Sequence, residues 1–257
     1  MPMKLPSFSV ITCTRNSEPW LAESISSVLM QQGVEIDYIF VDGGSNDGTL
    51  QRIRALQRPY TLIENIRGGI GRAMNAGIEA ARGDIVAHLH SDDFYLRDDV
   101  LLTVAQAFRD HGCRWLYGRT MSCIGGKLVA ENYEAPRFSR RRLLRGNFIP
   151  HPATFVAREL IWRAGGFDTS LRYAMDYDLW LRLAAIAEPL ALPQALTAFR
   201  EHDGSLSTRE KGAAMQEDLR VRLKHTGFHP IARAMHLLRY VVRRQRARLS
   251  LPGAQHA

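Results

Sequence analysis

Cysteine is scarce in this sequence, and the three present, Cys13, Cys113 and Cys123, are odd in number and fall at no metal-ligand spacing. That argues against a disulfide framework or a cysteine-built metal centre and predicts reduced thiols inside a cell. No apolar run approaches the roughly 18–20 residues that cross a bilayer, and Met1–Pro6 is too short and too polar for a signal peptide. A cytoplasmic location is the expectation, with the inner face of the plasma membrane as a peripheral site. Glycine is missing from the first strand-to-helix turn, and Gly69-Ile70-Gly71-Arg72-Ala73-Met74 begins like a dinucleotide fingerprint but has Met74 where the third glycine belongs. Hydride transfer is disfavoured on both counts. Acidic residues are absent from Leu219 to Ala257, where Arg220, Arg222, Lys224, Arg233, Arg239, Arg243, Arg244, Arg246 and Arg248 carry the net charge of +8 and leave the body near neutral. The interleaved Ile231, Met235, Leu237, Leu238, Tyr240, Val241 and Val242 point to an interfacial helix on an anionic membrane and not to nucleic acid, with a plain soluble helix as the alternative.

What is present reads as an ordinary soluble globular chain of 257 residues, 46% hydrophobic and 23% charged. Strands are predicted over Phe8–Thr14, Glu35–Val41, Tyr60–Glu64 and Asp84–His90. Helices alternate with them over Trp20–Gln32, Leu50–Gln57 and Gly68–Ala81. This rhythm implies a mostly parallel, doubly wound α/β sheet covered on both faces. From about residue 98 the pattern becomes mixed. A helix over Val100–Phe108 is followed by a hairpin of Trp115–Ile124 and Lys127–Glu131 and a basic segment, Arg140–Arg145. A strand over Ala153–Ala157 and helices over Glu159–Ala164 and Asp176–Ala187 complete it. The organisation expected is one domain over 1–208, with a nucleotide-binding half (about 1–97) and an acceptor-binding half (about 98–208), then a basic helical extension over 209–257. Trp20, Trp115, Trp162 and Trp180 read as core first, with Trp162 or Tyr173 as candidates for stacking on a sugar.

The stretch Asp84–Asp93 organises the rest. Its apolar Ile85-Val86-Ala87 runs out into His90, Ser91, Asp92 and Asp93, so adjacent carboxylates arrive at a strand's C-terminal end, where open α/β sheets bind ligands. A hard divalent cation sharing its shell with substrate phosphates relieves their repulsion; a solvated turn is the plainer explanation. The other strand ends add Thr12, Thr14 and Arg15, then Asp42, Ser45, Asn46 and Asp47, then the arginines between Arg67 and Arg72. Hydroxyls, carboxylates, arginines and a cation site together suit a sugar nucleotide.

In order along residues 7 to 200, the chain shows Phe8–Thr14, Val41-Asp42-Gly43-Gly44-Ser45-Asn46-Asp47-Gly48-Thr49 and Ala73-Met74-Asn75-Ala76-Gly77. Asp84, Ser91-Asp92-Asp93, Gly165-Gly166-Phe167-Asp168 and Asp176-Tyr177-Asp178-Leu179-Trp180-Leu181-Arg182 follow. This ordered set resembles the family 2 glycosyltransferases of GT-A fold. The resemblance implies an inverting, metal-dependent glycosyltransferase of hexosyltransferase type. It would take a nucleotide-diphosphate sugar, foremost a UDP-sugar, with Mn²⁺ or Mg²⁺, and deliver the sugar to a glycan or lipid-linked acceptor in cell-surface polysaccharide synthesis. Asp42 matches the family's base- and ribose-reading residue, with Ser45 and Asp47 holding its turn and Thr12 and Thr14 beside it. Asp92 matches the metal-binding Asp that closes an Asp-X-Asp element, while His90 replaces the element's first Asp. Asp93 is placed against donor or cation. Arg72 stands where relatives with this motif more often have Asp; it is assigned to phosphate, with a helix-surface arginine as the alternative.

Asp176 is the expected general base, which takes the acceptor hydroxyl's proton during an inverting displacement; a helix N-cap is its structural alternative. Asp178 is read as the partner of Arg182, one helical turn on. His151, pinned between prolines, and His202 are candidates for acceptor or diphosphate contacts alongside His90, each with a structural role as the alternative. The rival classes are a non-catalytic sugar-nucleotide-binding protein and a nucleotidyltransferase.

Overall fold

The computed structural model describes residues 4–130, 137–202 and 210–249. Glu131 of the expected hairpin, Asp203–Ser205 after His202, the boundary near 208 and residues 250–257 lie outside the described residues. Three strands, β1 (Phe8–Thr14), β2 (Ile36–Asp42) and β4 (Ile85–His88), form the centre with β3 (Thr61–Ile63) at the edge, and these four run parallel to one another. Each is apolar on both sides because alternate residues face different cores. Phe8, Val10, Tyr38, Phe40, Ile85 and Ala87 point into one cluster; Ile11, Cys13, Ile39, Val41 and Val86 point into the other. The alternating βα reading therefore holds, except that β4 stops at His88, two residues before His90.

Helices α1 (Glu18–Leu29) and α4 (Val100–His111) seal the first core with Leu21, Ile25, Val28, Leu101 and Val104. The second is sealed by α3 (Ile70–Ala80), α6 (Arg158–Arg163) and α7 (Met175–Ile186), while α2 (Thr49–Arg54) follows β2 and the basic segment forms the short α5 (Arg140–Leu143). Strand order is β3-β2-β1-β4-β8-β6-β9-β5, with β7 (Lys127–Val129) paired on β6 (Trp115–Ile124). Strand β8 (Thr154–Ala157) is antiparallel to both β4 and β6, and β9 (Leu190–Glu201) runs parallel to β6 and antiparallel to β5 (Phe94–Tyr95). Sequence reading missed β5 and β9. Trp115 and Trp180 are buried as expected, whereas Trp162 is 49% exposed and is no part of the core.

Two recurring sequence motifs turn out to brace this architecture. In α3 the Asn75 amide donates to the Phe167 carbonyl at 2.9 Å and accepts from the Phe167 N–H at 2.8 Å, clamping Gly165-Gly166-Phe167 to the helix. Gly166 has φ +65°, and a Cβ there would meet Asn75 Oδ1 at 2.8 Å. Asp178, wholly buried in α7, accepts from Arg182 at 2.8 Å as expected. It also accepts from Lys224 at 3.0 Å and His225 at 2.8 Å, both on α8 (Lys211–Thr226). Burial alone would raise this carboxyl's pKa, but bonds from His225, Lys224 and Arg182 hold it well below the usual range. The basic extension is thus fastened to α7 through a buried ion, and α9 (Pro230–Leu249) packs on α8.

Gly77 lets α3 lie close on β1, since a Cβ there would sit 2.4 Å from Ile11 Cγ2. Gly77→Ala is expected to cost about 1–3 kcal/mol by overpacking, read as a lower urea midpoint with unchanged slope.

Candidate active site

The parallel strands end along one edge, with Thr14 beside Asp42 in register, and the turn His90–Asp93 continues past β4 at the same edge. Arg200 on β9 holds that turn in place. Its backbone N–H donates to Asp93 Oδ1 at 3.1 Å and its Nε to the Asp92 carbonyl at 3.1 Å. The guanidinium also bonds Glu23 and lies 4.8 Å over the Trp20 ring and 5.3 Å over Phe94. Neither Arg200 nor Asn147, described below, was singled out in the sequence; Arg200's neighbour His202 was the one available signal.

Asp92 and Asp93 diverge. Asp92 is partly exposed and meets His202 Nε2 at 3.0 Å, and that imidazole packs 5.5 Å from Trp20. Asp93 turns inward and is 1% exposed, with Oδ2 lacking a partner among the described residues. Burial, then the neighbouring Asp92 charge, pushes its pKa well above the usual carboxylate value. The expectation of Asp93 against donor or cation is therefore corrected: it caps the backbone of β9. The pair presents one carboxylate to solvent, not two.

At the end of β2 the Asp42 carboxylate is fully buried and accepts four bonds, from Thr14 Oγ1 (2.8 Å), Ser45 Oγ (2.5 Å), Gly44 N (2.8 Å) and Ser45 N (2.8 Å). Burial raises its pKa, but these donors outweigh it and keep the group ionised. Asp47 accepts from Glu18 N at 3.2 Å and Thr49 N at 3.0 Å, so it braces the starts of α1 and α2. These residues shape the turn; any ligand reaching Asp42 must displace one of its donors. Thr12 is a correction, because its hydroxyl is buried within β1 at 3.3 Å from Tyr38 and reaches no site. Arg72 is exposed on the first turn of α3 and leans over Gly68, while Arg67 reaches Gly44 beside the Asp42 turn.

A second carboxylate belongs to the acceptor-side half. Asp176, in the first turn of α7, accepts from its neighbour Tyr177 N at 2.6 Å and from Asn147 Nδ2 at 3.1 Å. The N-cap position is Ala174, so capping is not its task. Protein surrounding the carboxyl pushes its pKa up to about 6, chiefly by desolvation, with Asp218 adding repulsion. Four residues after Asn147, His151 stacks on His90 at 4.9 Å with the rings 3° from parallel, and it lies 5.8 Å from Trp180. His88 is 5.6 Å from His151 on its other approach. Burial lowers the pKa of all three imidazoles, that of His88 to about 3, which keeps them neutral. The turn bearing Asp92 therefore meets the Asn147–His151 segment through a histidine stack, and that segment reaches Asp176 on α7 through Asn147.

Among the described residues no group of three or more His, Cys, Asp or Glu side chains gathers to hold a metal. The one-carboxylate, one-imidazole pair of Asp92 and His202 nevertheless fits a divalent ion that draws its remaining ligands from phosphate oxygens and water.

Shortening the strut, Arg200→Lys, is expected to cost about 1.5–3 kcal/mol through its lost charged hydrogen bonds. Thermal denaturation of the variant against the parent checks it.

Sequence comparison matches the model of glycosyl transferase family 2 over residues 9–160. An uncharacterized glycosyltransferase of Mycobacterium tuberculosis is 32% identical over 213 residues, covering 81% of this chain and 80% of that protein. The chondroitin synthase of Pasteurella multocida is 27% identical over 198 residues, 72% of this chain but 20% of the synthase. Among solved structures, S. aureus TarS 1-349 in complex with UDP-GlcNAc superposes with a TM-score of 0.72 at 20% identity, over 90% of this chain and 69% of that one. Mannosyltransferase PcManGT from Pyrobaculum calidifontis, in complex with GDP-Man and Mn²⁺, gives a TM-score of 0.66 at 19% identity, over 86% and 64%. The motif order, the mixed sheet and these matches agree: the chain belongs to glycosyl transferase family 2 and has the GT-A fold.

Proposed function

We propose that this enzyme is an inverting glycosyltransferase that moves a sugar from a nucleotide-diphosphate donor to a glycan or lipid-linked acceptor. The observation that carries the reading is the stack of His90 on His151, which joins the turn of Asp92 to the Asn147–His151 segment, whose Asn147 in turn bonds Asp176. The donor nucleotide is assigned to the edge formed by Thr14, Ser45 and Asp47 with Arg72. Its diphosphate is assigned to Asp92 and His202. Asp176 accepts the acceptor hydroxyl's proton as that oxygen bonds to the anomeric carbon, and the bond from that carbon to the diphosphate oxygen breaks with its electron pair on the diphosphate. Asn147 orients the Asp176 carboxyl by its hydrogen bond. A divalent cation, Mn²⁺ or Mg²⁺, held by Asp92 and His202 would supply charge stabilisation at the leaving diphosphate. That some relatives are polysaccharide synthases supports a surface-glycan product, and the UDP-GlcNAc, UDP and GDP-Man complexes of structural neighbours support a nucleotide-linked donor.

A cytoplasmic membrane face is the proposed place of work. Ile231 (77%), Leu238 (65%), Met235, Val241 and Val242 are exposed along α9, whereas His236 on its opposite side is 5% exposed against the body. Arg239, Arg243 and Arg244 accompany the apolar stripe with no acidic residue on the helix. A second copy would bring the same charges against these, whereas anionic lipid complements both the stripe and the arginines. No helix among the described residues is long and apolar enough to cross a membrane.

Two outcomes are expected. Release of nucleoside diphosphate, not pyrophosphate, should require added cation and rise about tenfold per pH unit below about 6 before levelling. Asp176→Asn should lower transfer by about 10²–10⁴-fold with donor binding retained. Burial disfavours the ionised form, so native stability falls as pH rises through the shifted pKa, and the Asn variant should remain folded at pH 8. Transfer that survives Asp176→Asn, or is indifferent to pH there, sinks the base assignment. Secondly, the chain should co-sediment with phosphatidylglycerol-containing vesicles, less so at high salt, and Leu238→Glu with Val242→Glu should release it.

A further inference from the structure

The basic segment before Asn147 has no part in the scheme above, yet it borders the base. Arg137, Arg141, Arg142 and Arg145 line an open cleft of about 900 Å³ together with Asn147 and Phe148. Among the described residues none of these arginines has an ion pair to a carboxylate, although short-range pairs satisfy many of the protein's other arginines. Arg142 lies 5.6 Å from the centre of the Phe148 ring, and Arg222 on α8 donates to the Arg145 carbonyl at 3.4 Å, which fixes the wall. Asn147 lines the cleft and donates to Asp176. Like charges gathered around one void repel one another until an anion fills it, and guanidinium forks match phosphate oxygens best. The separate site around Asp92 and His202 has no arginine of this cluster among its contacts.

We propose that this cleft binds a phosphate or diphosphate ester carried by the acceptor, so that the acceptor is anchored by its phosphate while its hydroxyl faces Asp176. The inference rests on the assignment of Asp176 to the acceptor side and names the acceptor's chemistry: a sugar linked to lipid through diphosphate, or a phosphosugar within a glycan. A carboxylate-bearing acceptor lacks the tetrahedral set of oxygens that four guanidinium groups can share.

Titration calorimetry of the full chain with inorganic pyrophosphate, in EDTA and without donor, tests it. Binding is expected in the parent and in Asp92→Asn, and Arg141→Glu with Arg145→Glu should weaken it at least tenfold. Should that double variant fail to fold, the single changes Arg141→Gln and Arg145→Gln, each weakening binding severalfold, serve in its place. Tighter binding of farnesyl diphosphate than of pyrophosphate assigns the phosphate to a lipid carrier, and equal binding assigns it to a phosphosugar. Binding that ignores the arginine changes, is lost in Asp92→Asn, or is matched by glucuronate overturns the proposal. Because donor and cation are left out, a failure here is distinct from a failure to find sugar transfer.

Discussion

The turn after β4 hangs on one guanidinium placed where water scarcely reaches. Arg200 is 6% exposed, and it ties the turn after β4 to β9, β5 and α1 through hydrogen bonds and two aromatic faces. Without it the Asp92 carbonyl would lose its guanidinium donor, while the Asp93 carboxyl would keep the backbone N–H of residue 200. With it, the turn is held so that one carboxyl goes inward and the other outward. The direction in which Asp92 faces is thus decided by a strand more than a hundred residues away in sequence.

Around that strut the protein keeps its own charge low. Burial raises the pKa of Asp93 and lowers those of His88, His90 and His151, and the desolvated Asp176 is only weakly acidic for an aspartate. A sugar nucleotide brings several negative charges and, in the proposed scheme, a cation of its own. A site with little fixed charge near the reacting atoms lets those arriving charges set the field, with less competition from the protein. The arginine cleft is the exception, and its unneutralised charge is what marks it.

Much of this could be read from the chain beforehand, and the reasons divide cleanly. Parallel strands buried on both faces announce themselves as unbroken apolar runs, so β1, β2 and β4 were placed within a residue or two, and the motifs Asp42–Thr49 and Asp176–Arg182 fell at the ends where the fold puts them. Strand β9 escaped because Leu190-Ala191-Leu192-Pro193-Gln194 carries a proline and no alternation, and its place is set by pairing with β6. Side-chain direction was equally out of reach. Adjacent aspartates look alike in sequence, and only the packing of β9 turns Asp93 inward; Thr12 looked like a strand-end hydroxyl but sits two residues too deep. Asn75 and Gly166 were recognisable as motif positions, yet their work as a clamp between distant segments appears only in three dimensions.

The buried Asp178 has a further implication for how the protein is made. Its charge sits inside α7, and two of its three partners, Lys224 and His225, come from α8, which leaves the ribosome well after α7 itself. Until α8 docks, that ion lacks two of its three partners, so the docking of α8 and the burial of the Asp178 charge in α7 are energetically linked. A polypeptide cut short before α8 would therefore carry a buried carboxylate in α7 with Arg182 as the one partner left of the three.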